Sequence, residues 1–244
     1  MSPFWLAWTF LTIFPGPGAG RATMTEFVGS RVWYPTVGVA LGLVWCAVAI
    51  GARALGASEA VVAVAVLSAM LLSTGFLHLD GLLDSADALL VPKDPVDRLR
   101  ILKDVHMGSF AFGAGGLWFL GMFASLQSVG DPLLLLALPV LSRGVLLVPI
   151  HVFPYARALP DDPSSLTTAS ERPSAPGWLV ALIPTLAAAW FFPLAAGTVL
   201  AVQLSTAWWS SRCLGGGITG DIYGACIVLS ELAALTVVGL APLL

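Results

Sequence analysis

Long apolar runs, separated by short polar stretches, dominate the chain. Seven of them approach the length of a membrane span: residues 36–55, 59–78, 110–128, 131–153, 177–193, 197–211 and 222–243. A bilayer core is crossed by about 20 apolar helical residues. We therefore predict an all-α, polytopic transmembrane bundle of about seven spans. Pro184 and Pro193 interrupt the fifth and sixth runs, which are the weakest of the set.

A shorter apolar run, residues 3–14, precedes the first span. It is too short to cross a bilayer, and Trp5 and Trp8 suit the headgroup region. We predict an interfacial or re-entrant helix that is broken by the prolines and glycines of 15–18. The first twenty residues contain no Lys or Arg, which argues against a cleaved signal peptide.

Composition supports a membrane protein. Hydrophobic residues make up 58 % of the chain and charged residues 10 %, whereas a soluble domain carries about 25 % charge. We expect one integral membrane domain over 1–244. The net charge of −3 gives no reason to expect a nucleic-acid partner, and the three cysteines lack metal or disulfide spacing.

Basic residues predict the orientation. Seven spans place the polar segments 15–35, 79–109, 154–176 and 212–221 on one side, together with nearly all Lys and Arg. Basic loops stay in the cytoplasm. We predict a multi-pass protein of the cytoplasmic (inner) membrane whose site faces the cytosol and is formed by these four segments. Self-association into a homo-oligomer is left open.

An acidic stretch, 78–109, holds six of the 14 acidic residues. Asp80, Asp84 and Asp87 are spaced i, i+4, i+7, so they share one face if the second span continues as a helix. Like charges at this spacing repel, and a hard cation such as Mg²⁺ would relieve the repulsion. The alternative is a solvated acidic face. A second short helix, after Pro95, is predicted to carry Asp97, Arg100 and Asp104, either as a further metal ligand at Asp104 or as a surface ion-pair face.

A glycine-rich segment, 215–220, precedes Asp221 and the last span. Glycines let backbone amides approach a phosphate at a helix N-terminus. Asp221 is interpreted as a metal ligand, with a plain helix cap as the alternative.

Two charged residues lie inside predicted spans, Arg143 and Glu231. Intramembrane charges usually pair or face a cavity. We expect the two to pair or to form the floor of a pocket open to the cytosol, and a packing ion pair without a substrate role is the alternative. His78 and His106 are weaker candidates for substrate contact.

The motifs resemble those of the adenosylcobinamide-GDP ribazoletransferase family, the cobalamin synthases. The resemblance covers nearly the whole chain and rests on FLTIFPGP (10–17), YPTVG (34–38), HLDGLLDSADAL (78–89), ILKDVHMGSF (101–110), LSRGVLL (141–147), FPYAR (153–157) and ITGDIYGA (218–225). Ala88, Ala111 and His106 depart from the family's pattern.

The resemblance implies a Mg²⁺-dependent transferase, a phosphotransferase that joins α-ribazole or its 5′-phosphate to adenosylcobinamide phosphate and releases GMP. It implies metal ligands drawn from Asp80, Asp84, Asp87, Asp104 and Asp221. The implied catalytic residues are Asp80 and Asp84, with Lys103, Arg98 and Arg100 on the departing phosphate. The implied substrate-binding residues are His78, Gly108, Ser109, Arg143, Tyr155, Arg157, Thr219, Gly220, Tyr223 and Glu231.

Two other functions compete. A CDP-alcohol phosphotransferase-type lipid synthase also uses membrane-edge aspartates with Mg²⁺, but Asp80-Gly81 is not followed by the Ala-Arg of that motif. A transporter would use Arg143 and Glu231 to line a path. The gathering of charge at one face argues against it, since transporters distribute polar sites about the bilayer midplane.

Overall fold

Helices form nearly all the regular structure of the described residues. The computed structural model describes residues 2–17, 23–156 and 175–240. Within these ranges the α-helices are α1 (Pro3–Leu11), α2 (Met24–Ser30), α3 (Tyr34–Ala54), α4 (Glu59–Ser73), α5 (Leu77–Leu89), α6 (Pro95–Ile101), α7 (Ser109–Gln127), α8 (Leu133–Val145), α9 (Leu147–Val152), α10 (Ala175–Phe191), α11 (Pro193–Cys213) and α12 (Gly220–Leu240). A 3₁₀ turn, Arg31–Trp33, joins α2 to α3, and an isolated parallel bridge links Tyr155 to Ile218. The predicted all-α fold is confirmed.

Four helical stretches among the described residues are long and apolar enough to cross a membrane. They are Thr25–Ala54, Ser109–Gln127, Leu133–Val152 and Gly220–Leu240, and α4 with α5 would make a fifth if taken together. By length and composition, the described residues therefore give four or five spans, whereas about seven were predicted. The apolar part of α10, Gly177–Phe191, is shorter than a span, and α11 carries Gln203 and a serine-rich end that lower its hydropathy.

The second apolar run is not one straight helix, which corrects the sequence-based expectation. The axes of α4 and α5 meet at 87°. Gly75 and Phe76, which join them, have φ of 59° and 62°, a left-handed conformation that is uncommon for a residue other than glycine. The aspartates therefore lie on a separate helix of 13 residues. Because it carries three carboxylates, we treat α5 as lying outside the spans.

Two further boundaries differ from the predictions. The segment 15–35 was expected to be a loop, but it contains α2, which starts with a capping box between Thr23 and Glu26. Apolar helical character begins at Thr25, so the first span starts before residue 36. Helix α6 ends at Ile101, so Asp104 does not share a helix with Asp97.

Close helix packing builds the interior. A Cβ atom on Gly38 of α3 would lie 2.5 Å from the carbonyl oxygen of Pro139 in α8, and Gly42 makes a similar approach to Leu136. Small residues at such crossings are typical of membrane helices, whose association depends on close van der Waals contact. Large apolar side chains on the outside, among them Leu43, Val64 and Leu117, are more than half exposed and form the surface expected to meet lipid.

Candidate active site

The candidate site is built where α5 crosses the start of α12. A Cβ atom on Gly81 would lie 2.6 Å from the backbone oxygen of Asp221, and one on Gly224 would lie 3.1 Å from that of His78. The two backbones are therefore nearly in contact. This crossing brings the HLDG and TGDIYG motifs together, so that Asp80 lies beside Asp221.

A cavity of about 320 Å³ opens at this crossing. Asp80, Asp221 and the glycines beside them form its acidic end. The remaining lining includes Phe10, Leu11, Phe27, Arg31, Tyr34, Leu77, His78, Leu146, Ile150, Tyr155, Tyr223 and Ile227. The volume lies within the roughly 300–1,000 Å³ usual for small-molecule sites, and the mainly apolar and aromatic wall is also typical of them.

Asp84 lies one helical turn beyond Asp80, and neighbouring carboxylates affect its pKa. Partial burial raises the pKa of the Asp84 carboxyl, nearby carboxylates raise it further, and it reaches about 6. Those carboxylates belong to Asp80, Asp221 and Asp87, in decreasing order of effect. Like charges held this close destabilise the ionised state. The site would therefore gain from a bound cation.

The donor set fits Mg²⁺, because carboxylate oxygens are the ligands this hard cation prefers. No group of three or more His, Cys, Asp or Glu side chains is arranged to hold a metal among the residues described. A three-ligand protein cage is not what Mg²⁺ requires, since it usually takes one or two carboxylates, water and substrate phosphate. Asp80 and Asp221, which share the cavity wall, are the residues best placed to hold it, with Asp84 next to them.

Asp87, a predicted metal ligand, makes hydrogen bonds that the sequence did not predict. One carboxylate oxygen accepts a hydrogen bond from the amide of Gly108 at 2.6 Å, and the other accepts from the amide of Ala111 at 2.9 Å. Asp87 therefore caps the N-terminus of α7 from a neighbouring helix. With both oxygens held by amides, it is a poor candidate for a metal ligand.

The remaining acidic candidate, Asp104, lies in a turn and is exposed. Its carboxylate accepts from the backbone amide of His106 at 3.0 Å and lies 2.7 Å from the ring Nδ1 of the same residue. These contacts lower the pKa of Asp104. Neither Asp104 nor His106 lines the cavity.

The basic residues predicted to hold the departing phosphate do not line the cavity either. Arg98 donates to the carbonyl oxygens of Leu89 and Lys93 at 2.6 and 2.8 Å, which ties α6 to the end of α5. Arg100 pairs with Asp97 at 2.9 Å, and both are exposed or partly exposed. Lys103 is exposed and also makes contacts of its own.

Arg143 and Glu231 form a buried ion pair, as one of the two sequence hypotheses expected. Nη1 of Arg143 lies 2.7 Å from Oε1 of Glu231, and the hydroxyl of Ser142 donates to the same oxygen at 2.7 Å. Gln203 extends the network by donating to the backbone oxygen of Ser142 at 2.7 Å. These residues join α8, α11 and α12 and do not line the cavity at the α5–α12 crossing. The packing role is therefore the one that the geometry supports.

Several predicted substrate-binding residues do reach the cavity. His78, Tyr155, Gly220 and Tyr223 line it, and the buried Thr219 donates to Asp221 at 3.1 Å. Gly108 and Ser109 lie at the start of α7, away from the lining. Arg157 falls outside the described residues.

The glycine-rich segment has a structural explanation. Gly215 and Gly216 have φ of 83° and 115°, and a Cβ atom on Gly217 would lie 2.7 Å from the amide nitrogen of Ala156. The segment lies against 154–156 through bonds between Ala156 and Ile218 and between Ile218 and Pro154, at 3.0 and 2.9 Å. This contact places Tyr155 at the cavity. Helix α12 begins at Gly220, so Asp221 lies in its first turn and is not the cap.

Sequence reasoning missed the N-terminal wall of the cavity. Phe10, Phe27, Arg31 and Tyr34 come from α1, α2 and the turn before α3. Isolated aromatics in an apolar chain carry no signal of function, since such residues are common at membrane interfaces. Arg31 could have been noticed as a charge five residues before the predicted start of the first span at residue 36.

Comparison with known proteins assigns the family. The family model described as "Cobalamin-5-phosphate synthase" (CobS) matches residues 3–239. A protein of Desulfitobacterium hafniense named "Adenosylcobinamide-GDP ribazoletransferase" is 38 % identical over 259 residues, which cover 100 % of this chain and 98 % of that protein. A protein of the same name from Deinococcus radiodurans is 38 % identical over 94 % of this chain and 82 % of its own length.

A third relative of that name, from Ectopseudomonas mendocina, is 34 % identical over 97 % of this chain and 98 % of its own length. No solved structure matches the chain. The sequence match runs through both halves of the site, the acidic helix and the start of the last helix. The chain belongs to the cobalamin-5-phosphate synthase family.

Proposed function

We propose that this protein transfers adenosylcobinamide phosphate from adenosylcobinamide-GDP to α-ribazole or α-ribazole 5′-phosphate, with release of GMP. One observation carries the proposal: relatives named for this activity match the chain over its full length. The cavity supports it, because the two most distinctive motifs of the chain meet there in Asp80 and Asp221.

The reaction is a displacement at phosphorus. A hydroxyl oxygen of the ribazole ribose forms a bond to the phosphorus that carries cobinamide, and the bond from that phosphorus to the bridging oxygen breaks. GMP leaves with the electron pair, and the hydroxyl proton passes to a carboxylate. Such a reaction depends on positioning and charge stabilisation more than on covalent help from the protein.

The residues of the acidic end supply these functions. Asp80 and Asp221 lie at the cavity wall, where they can hold Mg²⁺, and a bound Mg²⁺ would neutralise charge on the diphosphate. A carboxylate of the group Asp80, Asp84 and Asp221 accepts the proton.

The proposed location is the cytoplasmic membrane, with the cavity open to the cytosol. The concentration of Lys and Arg in the long polar segments supports this orientation. Nucleotide-linked substrates are found in the same compartment.

The test is direct. Purified protein in detergent is incubated with adenosylcobinamide-GDP, α-ribazole 5′-phosphate and Mg²⁺, and GMP and the corrinoid product are measured by liquid chromatography. We expect equal amounts of the two products. Hydrolysis to GMP without a ribazole-containing corrinoid would contradict the proposed transfer.

A further inference from the structure

Arg31 is a buried cation in the wall of the cavity. It is 6 % exposed and lines the cavity. Within residues 2–17, 23–156 and 175–240, no carboxylate pairs with it. An unpaired buried charge is costly. A cavity that retains one is well suited to receive an anion.

An aromatic wall, formed by Phe10, Phe27 and Tyr34, lines the cavity together with Arg31. The Phe10 ring lies 5.2 Å from that of Phe27 in an edge-to-face arrangement and 6.2 Å from that of Tyr34 in a stacked one. Phe10 is 43 % exposed, so its surface is free to meet a ligand. Flat apolar surfaces of this kind favour a planar ring.

The cavity therefore offers three kinds of surface: an aromatic wall, the buried guanidinium of Arg31, and the carboxylates of Asp80 and Asp221. A phosphorylated aromatic nucleoside carries three matching groups: a ring, a phosphate and ribose hydroxyls. Arg is the side chain best suited to a phosphate, because its planar fork can bind two oxygens at once.

Size and chemistry indicate which substrate, adenosylcobinamide-GDP or ribazole, occupies the aromatic end of the cavity. The corrinoid is a large macrocycle with many amide arms and does not fit a cavity of about 320 Å³. The guanine of its nucleotide part would need several hydrogen-bonding partners along its edge, which the aromatic wall does not supply. The benzimidazole of ribazole has no amide-type edge and suits an apolar wall.

We propose, on the basis of the function proposed above, that the aromatic end of the cavity is the ribazole subsite and that Arg31 binds the ribazole 5′-phosphate. Arg31 then determines the preference for phosphorylated over free ribazole. It acts on a group remote from the reacting hydroxyl and takes no part in bond making.

The test compares Arg31→Gln and Arg31→Lys with the wild type, using α-ribazole and α-ribazole 5′-phosphate as alternative acceptors. Loss of a charge-assisted contact is expected to raise KM for the phosphorylated acceptor about tenfold or more in Arg31→Gln. KM for free ribazole and for adenosylcobinamide-GDP should stay within about twofold. Arg31→Lys should fall between Arg31→Gln and the wild type. Arg53→Gln is the matched control, since Arg53 lies at the far end of α3 and pairs with Glu59.

The wild type provides a measurement that does not depend on the folding of a variant. Inorganic phosphate should compete with α-ribazole 5′-phosphate and leave KM for free ribazole unchanged. Equal losses for both acceptors in Arg31→Gln, or competition by phosphate against adenosylcobinamide-GDP alone, would overturn the subsite.

A binding measurement distinguishes failure of the ribazole subsite from failure of the proposed transferase activity. Titration calorimetry of α-ribazole 5′-phosphate into wild type and Arg31→Gln needs no turnover. Tight binding that is lost in the variant would support the subsite even if no GMP were formed. Equal binding by both proteins would overturn it even if the transferase is active.

Discussion

Arg143 and Glu231 form an ion pair inside the helical bundle, with Nη1 and Oε1 2.7 Å apart and both side chains at most 3 % exposed. The guanidinium also lies over the ring of Trp45, 5.7 Å from its centroid. The pair therefore ties α8 and α12 to α3. Its geometry leads to the first prediction.

Removing one partner of this pair should destabilise the fold strongly. Glu231→Gln leaves an uncompensated buried cation, and breaking a buried pair costs about 3–5 kcal/mol. Exchanging the charges in Arg143→Glu with Glu231→Arg should restore part of that loss. Thermal unfolding in detergent measures both effects. The matched control is Glu59→Gln, which breaks the partly exposed pair with Arg53 and should cost no more than about 1 kcal/mol. No recovery in the double variant would count against the pairing.

Asp80→Asn and Asp221→Asn should each abolish most turnover while leaving insertion and yield normal. The substitutions remove a charge at the cavity and nearly preserve shape, and loss of one electrostatic contact to a transition state costs about 100-fold or more in rate. Initial rates of GMP release give the readout. Asp97→Asn, in an exposed pair with Arg100, serves as the control and should behave as wild type. Normal activity in both site variants would exclude the acidic end as the catalytic centre.

Removal of divalent metal should stop the reaction, and Mg²⁺ should restore it. The repulsion among the carboxylates around Asp84 is relieved by a cation, and a displacement at a diphosphate needs its charge neutralised. The measurement is GMP release in detergent after treatment with a chelator, followed by titration with Mg²⁺. Because no sealed compartment is present, this assay also separates a transferase from a transporter. Full activity in excess chelator would contradict a metal requirement.

Asp87→Asn should affect stability more than metal dependence. Asp87 accepts from the amides of Gly108 and Ala111, and loss of a helix cap costs about 0.5–2 kcal/mol. We expect a lower unfolding temperature and an unchanged Mg²⁺ concentration for half-maximal activity. A large rise in the Mg²⁺ requirement, as expected for Asp80→Asn, would instead place Asp87 among the ligands.

Gly81→Ala should damage both folding and activity. The new methyl group would lie 2.6 Å from the backbone oxygen of Asp221, and overpacking typically costs about 1–3 kcal/mol. The separation forced on α5 and α12 should also spread the carboxylates and reduce the rate of GMP release. Gly113→Ala is the control, because a Cβ atom there meets nothing within 4 Å. An active, stable Gly81→Ala protein would show that the helices can separate without harm.

The sequence assigned Asp80 and Asp221 to one site, and the structure brings them to one cavity, but the sequence did not give the geometry of the acidic end. Periodicity placed Asp80, Asp84 and Asp87 on one face, but it could not show that Asp87 points to amides at the start of α7. That contact joins residues in different helices, and no local pattern reports it. The bend between α4 and α5 could not be predicted from the sequence either, because Gly75 and Phe76 follow an unbroken apolar run.

The pairing of Arg143 with Glu231 was predictable, since a charge inside an apolar run has few alternatives to a partner. The aromatic wall was not predictable in this way. Phe10 and Tyr34 meet at one cavity only because α1 folds back beside the first span, and their residue types are ordinary in a membrane chain. Resemblance identified the family, and the folded arrangement assigned places to its motifs.

The crossing of α5 and α12 has a consequence for biogenesis. Asp80 emerges from the ribosome well before Asp221, which lies in the first turn of α12, so α6 to α11 must be synthesised before the two meet. Until then Gly81 of α5 has no helix α12 to pack against. A chain truncated before α12 is therefore expected to enter the bilayer and still be inactive, because it lacks Asp221.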